Sequence, residues 1–444
     1  MQGSAYNSLI HLIPDIRIIQ NIVGLWECVA RSNPQAQILQ AMKGMKTLRS
    51  GRKWIYVLLL MGLLGLSGCG SPSSASMDTS AEATSEITQA AETTQEERTE
   101  LVKTGSMELQ YAENFTVDYY EDGYKMLTIL PDSQRYLLVP EGQPVPQGLD
   151  EDVSILQEPL QNIYLVASGA MDMFASLDAV DQIRFSGQKQ ENWYIQTAKD
   201  AMAAGDMIYA GKYSKPDYEL LVSEGCDLAI ENRMITHSPE VVEMLQSFDI
   251  PVMIEYSSYE QHPLGKVEWV KFFGALTGKE AKAEEAFAEQ TEILEEVESG
   301  EKTGKTIAFF YVTSNGLIQV RQSTDYIPKL IELAGGRYIF ENLEDSGSGR
   351  STLNMQVEDF YAGAKDADIL IYNSSIDGGV TTVDELIGKC NILKDFKAVQ
   401  EGQVYCTTND MYQQSMAVGY LLQDMHTVLT DDDTVKLRYL FLLQ

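Results

Sequence analysis

The sequence predicts an α/β protein of two lobes joined by one long helix, and three observations predict it. Apolar, strand-like runs alternate with helical stretches in two successive series, which is the pattern of α/β folds. Between the series, Glu280–Val297 runs without Gly or Pro and repeats apolar residues at Ala283, Phe287, Leu294 and Val297, one face of a helix. At 1.5 Å per residue that stretch spans about 27 Å, long enough to bridge two lobes. A chain of 444 residues, 44% of them hydrophobic, is sufficient for two or three domains.

The first hundred residues have a different character. Arg49, Arg52 and Lys53 precede the apolar run Ile55–Leu66, which ends in Leu66-Ser67-Gly68-Cys69. A basic segment, a short apolar core and small residues are the layout of a secretory signal, and about 20 apolar residues would be needed to span a bilayer. Export signals act at the N-terminus, so translation is expected to begin at Met42 or Met45, with residues 1–41 a mis-called extension. Ser71 to about Thr104 is rich in Ser, Thr, Ala, Glu and Gln and reads as a disordered tether. Its average reach would be roughly 30 Å. The expected organisation is leader over 1–68, tether over 69–105, first lobe over 106–279, helix over 280–298 and second lobe over 299–444.

Within the first lobe, Met107–Leu138 reads as strand-rich with a turn at Asp122-Gly123. Strands are expected at Leu160–Ala167, Asp206–Ala210, Asp227–Glu231 and Pro251–Tyr256. Helices are expected at Asp217–Glu224 and Pro239–Phe248, the latter with Ser238 as N-cap and Pro239 at the first helical position. The second series comprises strands Thr306–Thr313, Leu317–Gln322, Ile369–Tyr372 and Val404–Thr407, with helices Asp325–Ala334, Met355–Ala364 and Tyr412–Leu429.

Charge and cysteine content narrow the function. The formal net charge is −32 and no Lys/Arg-rich tract appears, so nucleic acid is excluded as an expected partner. Cys226, Cys390 and Cys406 are dispersed without a C-x-x-C, which argues against a disulfide framework or a thiolate metal site. With His237, His262 and His426 the only histidines after the leader, a bare Zn²⁺ or Mn²⁺ site is disfavoured. No G-x-S-x-G, H-E-x-x-H, Walker A loop or G-x-G-x-x-G after a strand occurs, so an enzyme is the weaker class.

The first lobe carries, in order, Tyr209-Ala210-Gly211-Lys212-Tyr213 leading to Pro216-Asp217-Tyr218-Glu219-Leu220-Leu221, then Gly225-Cys226-Asp227-Leu228-Ala229-Ile230, Ile250-Pro251-Val252 and Leu276-Thr277-Gly278-Lys279-Glu280. The second carries Leu330-Ile331-Glu332-Leu333-Ala334-Gly335-Gly336, Val357-Glu358-Asp359-Phe360 and Ala367-Asp368-Ile369-Leu370-Ile371. In their shared order these segments resemble the helical-backbone (class III) substrate-binding proteins of ABC importers for iron-siderophores, haem and corrinoids. Leu66-Ser67-Gly68-Cys69 likewise resembles the bacterial lipobox, with Cys69 as the lipid anchor. The resemblance covers about Leu160 to the C-terminus and assigns no role to Met107–Glu158.

The resemblance implies two Rossmann-like lobes with a ligand cleft between them, in a monomer anchored to the outer face of the cell membrane. It implies an ABC permease and its ATPase as partners, no resident cofactor, and docking through one Glu per lobe, here Glu219 and Glu358. Both Glu residues also suit a helix N-terminus, which is the plainer reading.

In open α/β lobes ligands sit beyond the carboxyl ends of the strands. The loops there hold Lys212, Tyr213, Asn232, Arg233 and Tyr256 in the first lobe, and Asn315, Arg321, Arg350 and Tyr412 in the second. Arg forks pair with oxyanions and Tyr faces stack on flat ligands, so a large anionic metal chelate is expected, a ferric-siderophore ahead of haem or a corrinoid. His237 or His262 could touch the metal of the latter two. An extracytoplasmic enzyme acting on a bound chelate is the competing reading.

Overall fold

In the computed structural model, which describes residues 101–343, 351–374 and 376–444, the chain opens with a five-stranded sheet. Strands β1 (Lys103–Ser106), β2 (Phe115–Tyr120), β3 (Lys125–Ile129) and β4 (Gln134–Val139) run antiparallel, and β5 (Val153–Gln157) adds parallel to β4. Asp122 and Gly123 make the β2–β3 turn with φ of 56° and 85°. Two successive positive φ values match the right-handed twist of a hairpin, and Gly reaches them without a Cβ clash. In β2, Phe115 and Val117 are buried while Thr116 is exposed, the alternation of a sheet with one wet face.

The first lobe is an all-parallel sheet in the order β12-β11-β6-β7-β8. Its strands are β6 (Ile163–Leu165), β7 (Ile183–Ser186), β8 (Ile208–Tyr209), β11 (Leu228–Asn232) and β12 (Val252–Glu255), with a small hairpin of β9 (Gly211–Lys212) and β10 (Lys215–Pro216) between β8 and β11. Helices α1 (Ala170–Ser176), α2 (Gln196–Ala204), α3 (Tyr218–Ser223) and α4 (Pro239–Ser247) form the crossovers. Asp217 caps α3 by accepting the Leu220 N–H at 3.1 Å. Ser238 does not cap α4 with its side chain, contrary to the sequence expectation. Its carbonyl accepts the Val241 N–H at 2.9 Å instead.

Helix α5 (Pro263–Thr277) went unpredicted because it is buried all round and shows no amphipathic period. Every residue from Pro263 to Leu276 is buried. Trp269 and Phe272 meet Phe115 of the N-terminal sheet at ring-centroid distances of 5.0 and 5.3 Å, and Phe273 meets Phe174 of α1 at 5.2 Å. Truncating Trp269 to Ala would cost about 3–5 kcal/mol by emptying that volume. Gly274 lets α6 (Glu280–Glu298) approach: a Cβ there would lie 2.6 Å from the Ala283 Cβ. Helix α6 buries Ala283, Phe287, Gln290, Leu294 and Val297.

The second lobe is a seven-stranded mixed sheet. Its path is β16-β14-β13-β17-β18-β19, with β15 also on β13. Strands β13 (Thr306–Val312), β15 (Arg337–Tyr338), β17 (Ile369–Tyr372) and β18 (Val404–Thr407) pair in parallel, whereas β14 (Ile318–Arg321), β16 (Thr352–Met355) and β19 (Leu440–Leu442) run antiparallel to their neighbours. The helices are α7 (Tyr326–Leu333), α8 (Val357–Ala364), α9 (Val383–Lys389), α10 (Lys397–Glu401) and α11 (Val418–Thr430). Helix α8 starts later than the sequence suggested because Thr352–Met355 pairs with β14. Helix α11 also starts late: ahead of it, Gln413 and Met416 bond to Tyr194, Asn192 and Asp172 of the first lobe.

One contiguous apolar core runs from Phe115 through Trp269, Phe287 and Ile327 to Leu440, joining the N-terminal sheet, α5, α6 and both lobes. Separate clusters cover the far face of each lobe's sheet. Cys226, Cys390 and Cys406 are buried and free. Among the described residues no helix is long and apolar enough to cross a membrane, and no group of three or more His, Cys, Asp or Glu is placed to hold a metal ion.

Candidate functional site: the cleft between the lobes

Parallel strands deliver their following loops to one edge of the sheet, and these loops meet across the gap between lobes. From the first lobe come Ser168 and Gly169 after β6, Asn232 to Met234 at the end of β11, and Glu255, Ser258 and Tyr259 at the end of β12. The second lobe supplies Gln319 and Arg321 from β14, Asp325 and Tyr326 at the start of α7, and Tyr412. With Lys266 from the first turn of α5, they line a cavity of about 330 Å³. That lies within the range of small-molecule sites, toward its lower end.

Arg321 is buried, and its Nη1 lies 3.2 Å from Asp325 Oδ2. The guanidinium stands 5.4 Å from the Tyr412 ring centroid and 5.8 Å from that of Phe309. Its backbone is pinned by Tyr338, whose hydroxyl accepts the Arg321 N–H at 3.0 Å and donates to the Arg321 carbonyl at 2.8 Å. Asp325 also caps α7 by accepting the Ile327 N–H at 2.9 Å. Burial pushes its carboxyl above the ordinary range, opposed chiefly by Arg321.

On the facing side, the Arg233 guanidinium lies 4.6 Å from the Tyr259 ring centroid and 5.6 Å from that of Tyr256. Cation–π contacts of this kind favour Arg when partly desolvated. Glu255 accepts the Ser257 N–H at 2.8 Å, and burial raises its carboxyl as well. Lys266 sits 4.8 Å above the Tyr326 ring. Tyr412 accepts a 2.7 Å hydrogen bond from Asn373 Nδ2 through its hydroxyl, which fixes the ring beside Arg321.

The N-terminal sheet supports this site from behind. Gln134 exchanges two hydrogen bonds with the Ile254 backbone, at 2.8 and 3.1 Å, and the Tyr136 hydroxyl donates to the Val252 carbonyl at 2.7 Å. These contacts cover the outer edge of β12, which would otherwise be an open strand edge. The Tyr256 hydroxyl donates to Asp132 in the β3–β4 turn, so the extra sheet also holds the ring beneath Arg233.

Of the residues expected from the sequence, Asn232, Arg233, Arg321 and Tyr412 line the cavity. Tyr256 is buried behind Arg233 rather than lining it. Lys212 and Tyr213 lie elsewhere, because the chain leaving β8 turns into the β9–β10 hairpin, where Lys212 is exposed and Tyr213 packs on the first lobe's outer cluster. Asn315 is also elsewhere: β13 and β14 form a hairpin, and Asn315 sits exposed in its tip, accepting from Thr313 Oγ1 at 2.6 Å. Arg350 and Cys69 lie outside the described residues. His237 is exposed. His262 caps α5 by accepting the Leu264 N–H at 3.2 Å and stacks on Tyr111 at 4.4 Å, which places it on a neighbouring cavity of about 360 Å³.

Sequence reasoning missed Lys266, Glu255, Asp325 and Tyr326. The pair His262-Pro263 is a helix-start signal that would have placed Lys266 on a first turn at the strand ends. Glu219 and Glu358 are both exposed, in the first turns of α3 and α8.

Two α/β lobes, a long connecting helix and a cleft at the strand ends define the fold of the helical-backbone, class III substrate-binding proteins. A periplasmic heme binding protein from Pseudomonas aeruginosa superimposes with a TM-score of 0.50 at 12% identity, over 64% of this chain and 98% of that one. A petrobactin-binding protein from Bacillus subtilis covers 61% of this chain and 92% of its own at 13% identity, with a TM-score of 0.48. In sequence, the chain is similar to two uncharacterized lipoproteins of Methanocaldococcus jannaschii. Each is 25% identical, one over 352 residues (72% of this chain, 81% of the relative) and the other over 337 (72% and 82%). No protein-family model matches the chain.

Proposed function

We propose that this chain is the extracytoplasmic substrate-binding lipoprotein of an ABC importer and captures an anionic ferric chelate of the siderophore type. The observation that carries this reading is the convergence of Arg233 and Lys266 from one side and Arg321 from the other on a single cavity walled by Tyr259, Tyr326 and Tyr412. With a formal charge of −32, attraction of an anion must come from such a local cluster. Aromatic faces with cations between them suit a flat, negatively charged chelate. The neighbours of this fold named for haem and petrobactin binding, and the relatives named as lipoproteins, support the same class.

In this reading Cys69 carries the lipid and residues 69–105 form the tether. Glu219 and Glu358 meet the permease, whose ATPase drives uptake. The lobes share one apolar core through α5 and α6, which favours small closing motions over wide opening. The chain binds and hands over its ligand, and no bond is made or broken.

Titration of the purified mature protein with a ferric-siderophore panel, haem and cobalamin, followed by tryptophan quenching, tests the proposal. Sub-micromolar binding of an anionic ferric chelate is expected. Tight binding of cobalamin alone, or turnover of a bound chelate, would overturn it.

A further inference from the structure

Helix α5 carries Lys266, Glu268 and Lys271 on buried positions. Glu268 accepts the N–H groups of Gln110, Tyr111 and Ala112 at 2.8 to 3.1 Å, and Lys271 contacts Glu268 and Glu284 at 3.3 and 3.0 Å. Two of the three charges are therefore fully paired. Lys266 is only 2% exposed, and its ammonium has no hydrogen bond and no ion pair within 4 Å among the described residues. The ammonium lies over the face of Tyr326, and the residue lines the cleft. Buried charges are normally paired, and an ammonium has three donors to satisfy.

The carboxyls near it do not fill that role. Asp325 is engaged by Arg321 and the Ile327 N–H, Glu255 by the Ser257 N–H, and Asp172 by the Met416 N–H at 2.7 Å. All three feel the Lys266 charge, from both lobes and from α1, yet none comes within ion-pair distance. Lys266 therefore brings an ammonium with unfilled donors to the lining of the cavity.

Resting on the proposed capture of an anionic ferric chelate, we infer that Lys266 is the anchor for a carboxylate of the ligand and that the ligand is a compact polycarboxylate chelate. A point-like ammonium suits a carboxylate oxygen. The cavity of about 330 Å³ suits a small chelate better than a bulky one.

The test uses the mature full chain and three probes: ferric citrate, metal-free citrate, and ferrioxamine B, a trihydroxamate chelate without a carboxylate. Wild type should prefer ferric citrate. Lys266→Met should weaken that binding by about 10- to 100-fold, the loss expected for one charge-assisted hydrogen bond, and leave any ferrioxamine binding unchanged. Lys266→Arg should restore most of the affinity. If Lys266→Met does not fold, Lys266→Gln, whose thermal unfolding is checked first, serves in its place.

Unchanged ferric citrate affinity in the folded variant overturns the inference. So does a wild type that prefers ferrioxamine B, whose complex is cationic; iron-chelate capture would then stand, but not the anionic preference. Lys266-dependent binding of metal-free citrate with neither iron chelate bound supports the anchor and sinks the iron reading. Binding of none of the probes overturns the inference, and the ferric-siderophore panel then decides chelate capture separately.

Discussion

Gln413 of the second lobe clamps the first: its Oε1 accepts the Tyr194 N–H at 2.8 Å and its Nε2 donates to the Asn192 carbonyl at 2.8 Å. Its neighbour Tyr412 lines the cleft, and three residues on, the Met416 N–H reaches Asp172 of α1. The loop that lines the cleft is thus the loop that fastens the lobes.

Gln413→Ala should leave the Tyr194 N–H and Asn192 carbonyl without partners and cost about 1–3 kcal/mol. Faster amide exchange at Tyr194 and a faster ligand off-rate are expected together. Hydrogen exchange and stopped-flow release would measure them, and unchanged exchange at Tyr194 would show the clamp to be dispensable.

Glu231, at the end of β11, is buried with neither carboxylate oxygen hydrogen-bonded, and burial pushes its carboxyl up to about 8. The folded state therefore holds a proton that the unfolded chain releases near its ordinary value. Protonated Glu231 contributes full stability below that ordinary value, and the contribution is lost as pH rises toward 8. Glu231→Gln, which cannot ionise, should be more stable than wild type at pH 8 by an amount on the order of a few kcal/mol, with the difference vanishing near pH 4. Thermal unfolding of both proteins across that window would reveal it; parallel curves would mean the carboxyl is not buried in the native state.

Glu219 and Glu358 are exposed on first turns, so each charge supports its helix by at most about 1 kcal/mol. Facing a permease Arg, each would form a charge-assisted pair whose truncation costs about 2–5 kcal/mol of complex affinity. The double variant Glu219→Ala/Glu358→Ala should bind ligand normally and fail in uptake. Full uptake removes the docking role, whereas collapse of ligand affinity moves these residues into the binding site.

Cys69→Ser should release the protein from the membrane fraction, since acyl chains hold a soluble body through about 0.8 kcal/mol per buried CH₂. Fractionation and mass spectrometry of the N-terminal peptide check this. Membrane retention of the variant would point to another anchor.

The sequence by itself determined the two α/β series, the helix Glu280–Glu298 between them and the strand ends that carry Asn232, Arg233, Arg321 and Tyr412. All of these follow from local periodicity and from the rule that parallel strands send their loops to one edge. Tertiary structure decided the rest. Lys212 and Asn315 were lost to hairpins because pairing partners decide whether a strand is followed by a helix or turns back, and no local window contains that partner. Helix α5 had no period to read because it is enclosed on every side, so Lys266, the ammonium left facing the cleft, could be recognised only once Glu268, Lys271 and their neighbours stood around it. The role of the N-terminal sheet was hidden for the same reason: Gln134 covers the edge of β12 across 120 residues of sequence, a contact created by packing alone.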